Sequence, residues 1–355
     1  MQCLSDQQSC ALPAFFSLFS FGHPSADSSP QGADAQKIRR SLSSLSSTTL
    51  SPSLGMKPLR PLRALFQPHY VYRPAQLFRR LYREWFCSTP ASAIASLPWK
   101  HSLQVLPTEH IGRSVWLHGI YGTTVCEILW RLSETGMTVV DAGANIGVMT
   151  SLLAHRVHPN GSVYSFEPHP TLYDRLLKNV DRFRQQTSSS LHPLPHALHN
   201  RSGTAYLTFH DTFKMNQGLA SLTDQPCSGH EIRVSCVPLD ALFPSAHLNI
   251  LKVDVEGHES QVLTGAENLL SDGRIDYVLY ECHDGPYAAL HDLLSQHGYS
   301  LFGIRSSIRG PILLPFADLS STTPDLNSSF LATRHPTDAE ALVRPDGWNC
   351  LTCRN

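Results

Sequence analysis

The sequence has no long apolar run, no excess of one charge and no regular cysteine pattern. No apolar stretch reaches the roughly 18 residues that a membrane-spanning helix needs, so no transmembrane segment is predicted. The 28 basic and 29 acidic residues give a net charge of −1, and the second half of the chain has no basic run with interleaved aromatic residues. This charge distribution therefore predicts no nucleic-acid partner.

The nine cysteines are odd in number and irregularly spaced, which is not the pattern of a disulfide framework. We therefore expect reduced thiols and a cytoplasmic location. Cys350 and Cys353 have a C-x-x-C spacing, but a second pair that would complete a zinc site is missing. We interpret residues 336–355 as a loose tail and predict no metal site.

Residues 1–55 differ in composition from the rest of the chain. They are rich in Ser, Pro and Ala, and Ser41–Thr49 is of low complexity. Such a segment cannot bury enough apolar surface to fold alone, so we expect a disordered leader. Two alternatives stay open, namely an organellar transit peptide and a synthesis start at Met56.

Residues 56–109 are predicted to be a basic helical extension. Seven Lys and Arg residues lie in 57–83, and no acidic residue occurs there before Glu84. One interpretation is a basic amphipathic helix in peripheral contact with a membrane surface or an anionic substrate. The other, which we favour, is a helical cap that packs on the next domain with a solvated basic face. Pro74 suits the first position of such a helix, and apolar residues follow at helical spacing.

A buried strand followed by a glycine turn is the most informative feature of the chain. Thr138–Val140 is β-branched and apolar, and Gly143 and Gly147 allow a sharp turn into a helix. Glu167 ends the next predicted strand, twenty positions after Gly147. An acidic residue at that place in a βαβ unit can accept hydrogen bonds from both hydroxyls of a ribose. The pattern therefore indicates a nucleoside-cofactor site.

The chemistry of the turn indicates which nucleoside cofactor fits. A dinucleotide site needs a glycine where this chain has Asn145, because backbone amides must approach a pyrophosphate. Asp141 would face the charged middle of the ligand and repel phosphate. S-adenosylmethionine has a sulfonium, an ammonium and a ribose but no phosphate, so it suits both Asp141 and Glu167. An NAD-dependent oxidoreductase and a non-catalytic nucleoside-binding scaffold are the alternatives.

A second apolar strand ends in acidic residues. The stretch Leu248–Asp254 is followed by a helix with one apolar face. In an open parallel sheet, ligands bind beyond the carboxyl ends of the strands, so Asp141, Glu167 and Asp254 are expected to meet at one crevice. Three carboxylates at one edge favour a cationic ligand.

At these positions the chain resembles the FkbM family of S-adenosylmethionine-dependent methyltransferases. The resemblance covers roughly 110–335, and its most particular motif is the segment Lys252–Gly257. The matching stretches are Val139–Gly147, Phe166–Pro168, Val237–Asp240 and Leu251–Glu259.

The resemblance implies O-methylation of a small molecule, commonly a sugar or a polyketide, and so a small-molecule or sugar acceptor as partner. It also implies an α/β fold, a class I methyltransferase Rossmann-like sheet that is mostly parallel with a final antiparallel strand, for which Ser329–Thr333 is the candidate. The predicted cofactor-binding residues are Asp141, Gly143, Ala144, Asn145, Gly147, Glu167, Pro168, Ala197 and Asp254.

Other strands are predicted from composition and alternation. His196–Leu198 is expected to end the third strand of the sheet. Thr204–Phe209 and Ile232–Val237 are expected to form an inserted hairpin-like region, and Tyr277–Glu281 a further buried strand. Strands that alternate with helices indicate an α/β fold.

Transfer of a methyl group to a hydroxyl needs a base near the reacting oxygen. The candidates are His258, Asp254 and Glu256, with His258 favoured because an ordinary histidine pKa near 6.5 suits proton uptake at neutral pH. An equally weighted interpretation of His258 is a helix-start residue that bonds a backbone group. Asp254 is expected rather to face the ammonium group of the cofactor or the reacting oxygen. Glu281 and His283 follow another strand end and are weaker candidates.

Overall fold

The computed structural model describes residues 66–209, 220–225, 231–283, 289–320, 323 and 326–354. The chain divides into Met1–Pro58 and Leu59–Asn355, and every described residue belongs to the second unit. The predicted leader over 1–55 lies outside the described residues. No helix in the described ranges is long and apolar enough to cross a bilayer.

Fourteen strands occur within these ranges. They are β1 Ala93–Ser96, β2 Ser102–Val105, β3 Thr138–Ala142, β4 Ser162–Phe166, β5 Ser190–Leu194, β6 His196–Leu198, β7 Gly203–Phe209, β8 Ala220–Thr223, β9 Ile232–Val237, β10 Leu248–Val253, β11 Ile275–Glu281, β12 Ser300–Ser307, β13 Gly310–Pro315 and β14 Leu326–Thr333.

The helices of the described ranges alternate with these strands. They are α1 Pro68–Val71, α2 Pro74–Phe86, α3 His110–His118, α4 Thr123–Leu132, α5 Val148–Arg156, α6 Pro170–Arg184, α7 Leu239–Leu242, α8 Glu259–Thr264, α9 Glu267–Ser271, α10 Ala289–Gln296, α11 Pro336–Leu342 and α12 Asn349–Thr352, with a 3-10 turn at Phe316–Asp318.

The main sheet has eight strands in the order β13-β12-β14-β11-β10-β3-β4-β5. Strands β11, β10, β3, β4 and β5 are parallel, whereas β14 pairs antiparallel with both β11 and β12. The prediction of an α/β Rossmann-like sheet with an antiparallel strand near the C-terminus is therefore confirmed. The candidate Ser329–Thr333 lies in β14, which inserts between β11 and β12.

Successive residues of the central strands pack on opposite sides of the main sheet. Val139 and Ile250 belong to one apolar cluster, whereas Val140 and Leu251 belong to the other. All four are fully buried. Because both faces of parallel strands are covered by helices, such strands are apolar without alternation, which explains why the sequence signal was strong here. The carboxyl ends of these strands form the edge at which the site lies.

A second sheet has four strands in the order β6-β9-β7-β8. It contains the two predicted strands of the inserted region, which pair antiparallel as β7 and β9. The expectation for His196–Leu198 is wrong, since the third strand of the main sheet, β5, ends at Leu194 and His196–Leu198 pairs with β9 instead. Pro195 lies between the two strands, and proline has no N–H group to continue the first ladder.

The N-terminal extension contains the predicted helix α2 with Pro74 at its start, and also a β1–β2 hairpin that the sequence did not reveal. The expected packing of this helix on the next domain is seen in the contact of Gln76 with Leu117, and Arg79 is exposed to solvent, but the basic residues are not all solvated. Arg80 is buried and donates a hydrogen bond to the Tyr70 hydroxyl. Phe78 and Trp85, by contrast, are exposed on the outer side of α2.

The expectation of a loose tail over 336–355 is wrong for residues 336–354. Trp348 and Cys350 are buried in the main apolar cluster. The carboxylate of Glu127 accepts hydrogen bonds from the backbone N–H groups of Asn349 and Cys350, and it also forms an ion pair of 2.6 Å with Arg131. The segment contains few apolar residues, so its packing against the main domain was not predicted from the sequence. In the described ranges, Cys87, Cys126, Cys236, Cys350 and Cys353 have free thiols.

Candidate active site

A pocket lies at the carboxyl ends of β3, β4 and β10, the edge where ligands bind in open parallel sheets. Most of the predicted site residues line it. They are Gly143, Ala144 and Asn145 after β3, Glu167 and Pro168 after β4, Ala197 in β6, and Asp254, Glu256 and His258 after β10.

The turn after β3 requires glycine at its first position. Gly143 has φ +75°, and a Cβ atom placed on it would lie 1.9 Å from the carbonyl oxygen of Asp254. Asn145 also has a positive φ of 50°, and its side-chain oxygen accepts a hydrogen bond from the N–H of Ile146. Gly147 caps the start of α5 with φ +93°. The turn after β3 therefore packs closely against the backbone of Asp254, and this contact positions the bottom of the pocket.

Glu167 ties the β3 turn to the β4 turn. One carboxylate oxygen accepts the N–H of Asn145 and the other accepts the N–H of His169, each at 2.9 Å. Burial raises the pKa of Glu167 to about 7, against the lowering effect of the two N–H donors. Each carboxylate oxygen has a second lone pair, so Glu167 can still accept bonds from the hydroxyls of a ribose.

Asp141 does not lie where the sequence interpretation placed it. Its side chain is fully buried beneath the turn, where it accepts a hydrogen bond of 2.7 Å from the Thr150 hydroxyl. Its charge is matched by Lys252 at 3.1 Å. The expected direct contact between Asp141 and the charged part of a ligand is therefore replaced by a buried ion pair inside the protein.

Lys252 is the functional residue that sequence reasoning missed. It is buried, and its Nζ atom donates hydrogen bonds to the carbonyl oxygens of Ala142 and Gly143. The same atom lies 3.5 Å from Asp254. The nearby carboxylates of Asp141 and Asp254 raise the pKa of Lys252, although burial opposes this. A lysine inside an otherwise apolar strand was the available signal, because an unpaired lysine is almost never buried.

Three carboxylates meet at one end of the pocket. Burial and the neighbouring Asp254 and Glu281 raise the pKa of Glu256 to about 7. Burial and Asp254 also raise the pKa of Glu281, which accepts a hydrogen bond from Ser328. The same acids and burial raise the pKa of Tyr121 to about 12, so this phenol beside them stays neutral. The pocket therefore has a carboxyl group that can exchange a proton near neutral pH.

His258 lines the pocket but is a weak base. Burial and the neighbouring His199 lower the pKa of His258 to about 4. The two ring centroids are 4.7 Å apart. The preference for His258 as the base rested on an ordinary histidine pKa, and this premise does not hold at the observed position.

A polar recess adjoins the pocket and shares Tyr121, Lys252, Asp254 and Glu281 with it. Its further lining residues include Thr124, Asn327 and Ser328, which carry hydroxyl and amide groups. These come from the start of α4 and from β14, neither of which was connected to the site by the sequence.

Within the part of the chain that the structure describes, no group of three His, Cys, Asp or Glu side chains is arranged to hold a metal ion. His283 lies 3.6 Å from Glu281 but is largely exposed.

Comparison with known proteins identifies the family. The model of the methyltransferase FkbM domain matches residues 141–301. The 31-O-demethyl-FK506 methyltransferase FkbM of Streptomyces tacrolimicus is 30% identical over 197 residues, which cover 47% of this chain and 74% of that protein. The chain belongs to the FkbM methyltransferase family. The resemblance found in the motifs is thus confirmed, and S-adenosylmethionine is the cofactor.

Two further similarities were found. The hexuronic acid methyltransferase AglP of Haloferax volcanii is 29% identical over 164 residues, which cover 45% of this chain and 62% of that protein. Among solved structures, M. jannaschii TYW2 in complex with AdoMet is 14% identical, with 69% of this chain and 86% of that chain covered. Its TM-score of 0.35 is low, so this likeness adds no argument.

The side chains that line the FkbM-type pocket are suited to the three parts of S-adenosylmethionine, namely the ribose, the adenine and the cationic methionine portion. Glu167 has acceptor sites for the ribose, and the apolar side chains of Phe166, Pro168 and Leu198 suit an adenine ring. The side chain of Asp254 is about 40% exposed to solvent, so its negative charge is available to the cationic methionine portion. An NAD-dependent oxidoreductase, the alternative weighed from the sequence, has no support from the family match.

Proposed function

We propose that this chain transfers a methyl group from S-adenosylmethionine to a hydroxyl of a small molecule, with a glycosyl unit as the favoured acceptor. The observation that carries this proposal is that the carboxyl groups of Glu256, Asp254 and Glu281 meet in the pocket, where burial and its two neighbours raise the pKa of Glu256 to about 7. A hydroxyl must lose its proton when it is methylated, whereas the sulfonium needs no activation by the protein. A carboxylate that accepts a proton near neutral pH meets that requirement.

Residues at the two ends of the pocket have different roles in this proposal. Glu167 binds the ribose, and the backbone of Gly143–Asn145 with Pro168 and Ala197 forms the nucleoside cavity. When bound, S-adenosylmethionine supplies an electrophilic methyl group. Asp254 orients the cationic portion of the cofactor or the reacting hydroxyl.

Glu256 is the proposed base, in place of His258. Its carboxylate takes the hydroxyl proton, and the adjacent carboxylates favour that uptake because protonation removes one of several like charges. His258 with its pKa near 4 holds a proton far less well at pH 7. We assign it a place in the pocket wall.

The polar recess supports an acceptor that carries several hydroxyl groups. Thr124, Asn327 and Ser328 present donors and acceptors next to Glu281. Thr124 and Asn327 bond to Ser306, and Ser328 bonds to Glu281, but the oxygen atoms of these side chains keep lone pairs that the hydroxyl groups of an acceptor can use. The name of the Haloferax relative states that it methylates a hexuronic acid, and the name of the Streptomyces relative states a 31-O-demethyl substrate. Both names agree with methylation of oxygen.

Free thiols at five of the described cysteines support the further proposal of a reducing compartment, such as the cytoplasm. A non-catalytic nucleoside-binding scaffold is the second candidate function. It differs from the first in one observable, since it binds S-adenosylhomocysteine without consuming S-adenosylmethionine.

The experiment incubates the full chain and ¹³C-methyl-labelled S-adenosylmethionine with a panel of hexuronic acids, neutral glycosides, polyketide alcohols and amines. We expect label on a hydroxyl oxygen of the acceptor, located by NMR, and no label on amines or on carboxylate oxygens. Glu256→Gln should lose most of this label, and Glu267→Gln is its matched control, because Glu267 is an exposed acid on α9 away from the pocket. Label on nitrogen, or cofactor binding without turnover on any hydroxylated acceptor, would contradict the proposal.

A further inference from the structure

Helix α2 presents a row of large apolar side chains to the outside. We call this row the aromatic face, and Phe78, Trp85 and Phe86 are exposed to 71%, 70% and 78%. The rings of Tyr82 and Phe86 stack with their centroids 5.8 Å apart. A soluble protein rarely exposes a contiguous apolar surface of this kind unless it binds something. The aromatic face consists of Phe78, Leu81, Tyr82, Trp85 and Phe86.

The inner side of α2 is held by polar contacts, the reverse of an ordinary surface helix. The side-chain amide of Gln76 donates to the carbonyl oxygen of Leu117 at 2.8 Å, and Arg83 donates to that of Trp116. Arg80 is buried and pairs with Glu84 at 3.2 Å. These bonds fix the rotation of the helix about its axis. The aromatic face therefore points outward because of specific contacts on the opposite side.

The charge on α2 is mainly positive. This helix contains Arg79, Arg80 and Arg83 and one acid, Glu84, and Arg79 is exposed among the aromatic side chains. Aromatic rings and guanidinium groups are enriched where proteins meet the headgroup region of a bilayer, and basic residues are attracted to anionic lipids. An acidic protein surface would match the charge, but the concentration of Trp, Tyr and Phe on a single helix suits the lipid interface best.

The aromatic face is one helix away from the pocket. Helix α2 packs against α3 through the contacts of Gln76 and Arg83, and His110 and Ile111 at the start of α3 line the pocket. Helix α3 therefore connects α2, which contacts its C-terminal end, with the pocket, which its N-terminal end lines.

We propose that the aromatic face binds the surface of a bilayer that contains anionic lipids. This inference is independent of the acceptor and of the base in the reaction, because it rests on contacts of α2 alone. The apolar side chains enter the interface, and Arg79 pairs with lipid headgroups.

The first test is co-sedimentation of the full chain with vesicles of phosphatidylcholine, with and without phosphatidylglycerol. We expect binding to the anionic vesicles, weakened by salt. Substitution of Phe78, Trp85 and Phe86 by Ser should weaken it by roughly tenfold or more, because burial of even one such side chain contributes about that factor. The matched control replaces three exposed apolar residues elsewhere, Ile94, Ile308 and Leu342, by Ser. It should bind like the wild type, and both variants should keep the wild-type melting temperature.

The second test uses the fluorescence of Trp85. The five tryptophans are Trp85, Trp99, Trp116, Trp130 and Trp348, and all but Trp85 are at most 6% exposed. Quenching by acrylamide thus reports on Trp85, as the variant Trp85→Phe would verify. We expect anionic vesicles to protect the fluorescence from the quencher and to shift it to shorter wavelength.

Three results would overturn the proposal. The first is equal vesicle binding by the wild type and the triple-serine variant. The second is protection of Trp85 from acrylamide without vesicles, which means that protein already covers the face. The third is a wild-type dimer in sedimentation equilibrium that is lost in the triple-serine variant, while neither protein binds vesicles. This result would identify a second copy of the chain as the occupant of the aromatic face.

Discussion

The Nζ atom of Lys252 lies 3.1 Å from Oδ1 of Asp141, and both side chains are buried beneath the glycine turn. The two residues are register partners on the neighbouring strands β10 and β3. This pair explains how a carboxylate can end the strand below a cofactor pocket without facing the ligand. It also holds the turn, since Lys252 donates to the carbonyl oxygens of Ala142 and Gly143.

Removal of the Lys252 charge should strongly destabilise the protein. Lys252→Met keeps much of the side-chain volume but leaves Asp141 buried without its cation, a change that costs about 3–5 kcal/mol in comparable buried pairs. Chemical denaturation followed by circular dichroism measures the effect. Lys178→Met, at an exposed position of α6, is the control and should change the free energy of unfolding little.

The same pair offers a compensation test. Asp141→Asn in the Lys252→Met background removes the buried charge that was left alone, so part of the lost stability should return. The double variant could instead lose more free energy of unfolding than the two single variants lose together. That result would show that Asp141 stabilises the protein for a reason other than its pairing with Lys252.

Replacement of Glu167 should weaken the cofactor without abolishing the fold. Glu167→Gln has the same shape but only one side-chain acceptor oxygen, so it cannot accept both the Asn145 N–H and two ribose hydroxyls. Charge-assisted hydrogen bonds contribute roughly 1.5–3 kcal/mol each, which predicts at least tenfold weaker binding of S-adenosylhomocysteine by calorimetry. Glu267→Gln should bind as the wild type does. Unchanged affinity in Glu167→Gln would remove this residue from the ribose site.

A pair of glycine variants separates backbone strain from collision. Gly143 and Gly136 both have positive φ, +75° and +85°, so alanine is strained at either position. A Cβ at Gly143 would meet the Asp254 carbonyl oxygen at 1.9 Å, whereas nothing lies within 4 Å of one at Gly136. We expect Gly136→Ala to lower only stability, by about 1 kcal/mol. Gly143→Ala should in addition abolish measurable binding of S-adenosylhomocysteine, and equal affinities in the two variants would contradict this.

The sequence predicted those parts of the fold that depend on local pattern. Strands β3 and β10 are mostly apolar, and the turn between Gly143 and Gly147 needs residues that tolerate positive φ, so both could be predicted. The burial of Asp141 could not, because it depends on the register of β3 against β10 and on a lysine more than 100 positions away. Lys252 inside an apolar strand signals that a buried partner exists, but local sequence does not show that this partner is Asp141.

The orientation of α2 and the electrostatics of the pocket could not be predicted for a similar reason. The spacing of apolar residues predicted the helix, but the contacts of Gln76 and Arg80 decide which side faces the protein. His258 was assigned an ordinary pKa, whereas burial and His199 lower it. Glu281 reaches the same acidic cluster as Asp254 because β11 lies beside β10 in the sheet. Each of these facts depends on tertiary neighbours.

The titration of Glu256 gives a prediction for both activity and stability. Its ionised form accepts the proton, so turnover with a hydroxylated acceptor should rise with pH through an apparent pKa near 7. Glu256→Gln should lower turnover by about a hundredfold and remove this rise, while S-adenosylhomocysteine affinity is kept. His258→Ala should retain the rise, because a group with a pKa near 4 does not titrate in that range.

Stability should respond to Glu256 in the opposite direction. Its pKa is raised from 4.5 in the unfolded chain to about 7 in the folded protein, so between these values the folded state binds the proton more tightly. The free energy of unfolding should therefore fall as pH rises from 4.5 to 7. Glu167 contributes to the same trend, so the measurement is the difference between wild type and Glu256→Gln in denaturant titrations at pH 5 and pH 8. The wild type should lose more stability than the variant between the two pH values, and equal losses would show that Glu256 has an ordinary pKa and cannot act as the base at neutral pH.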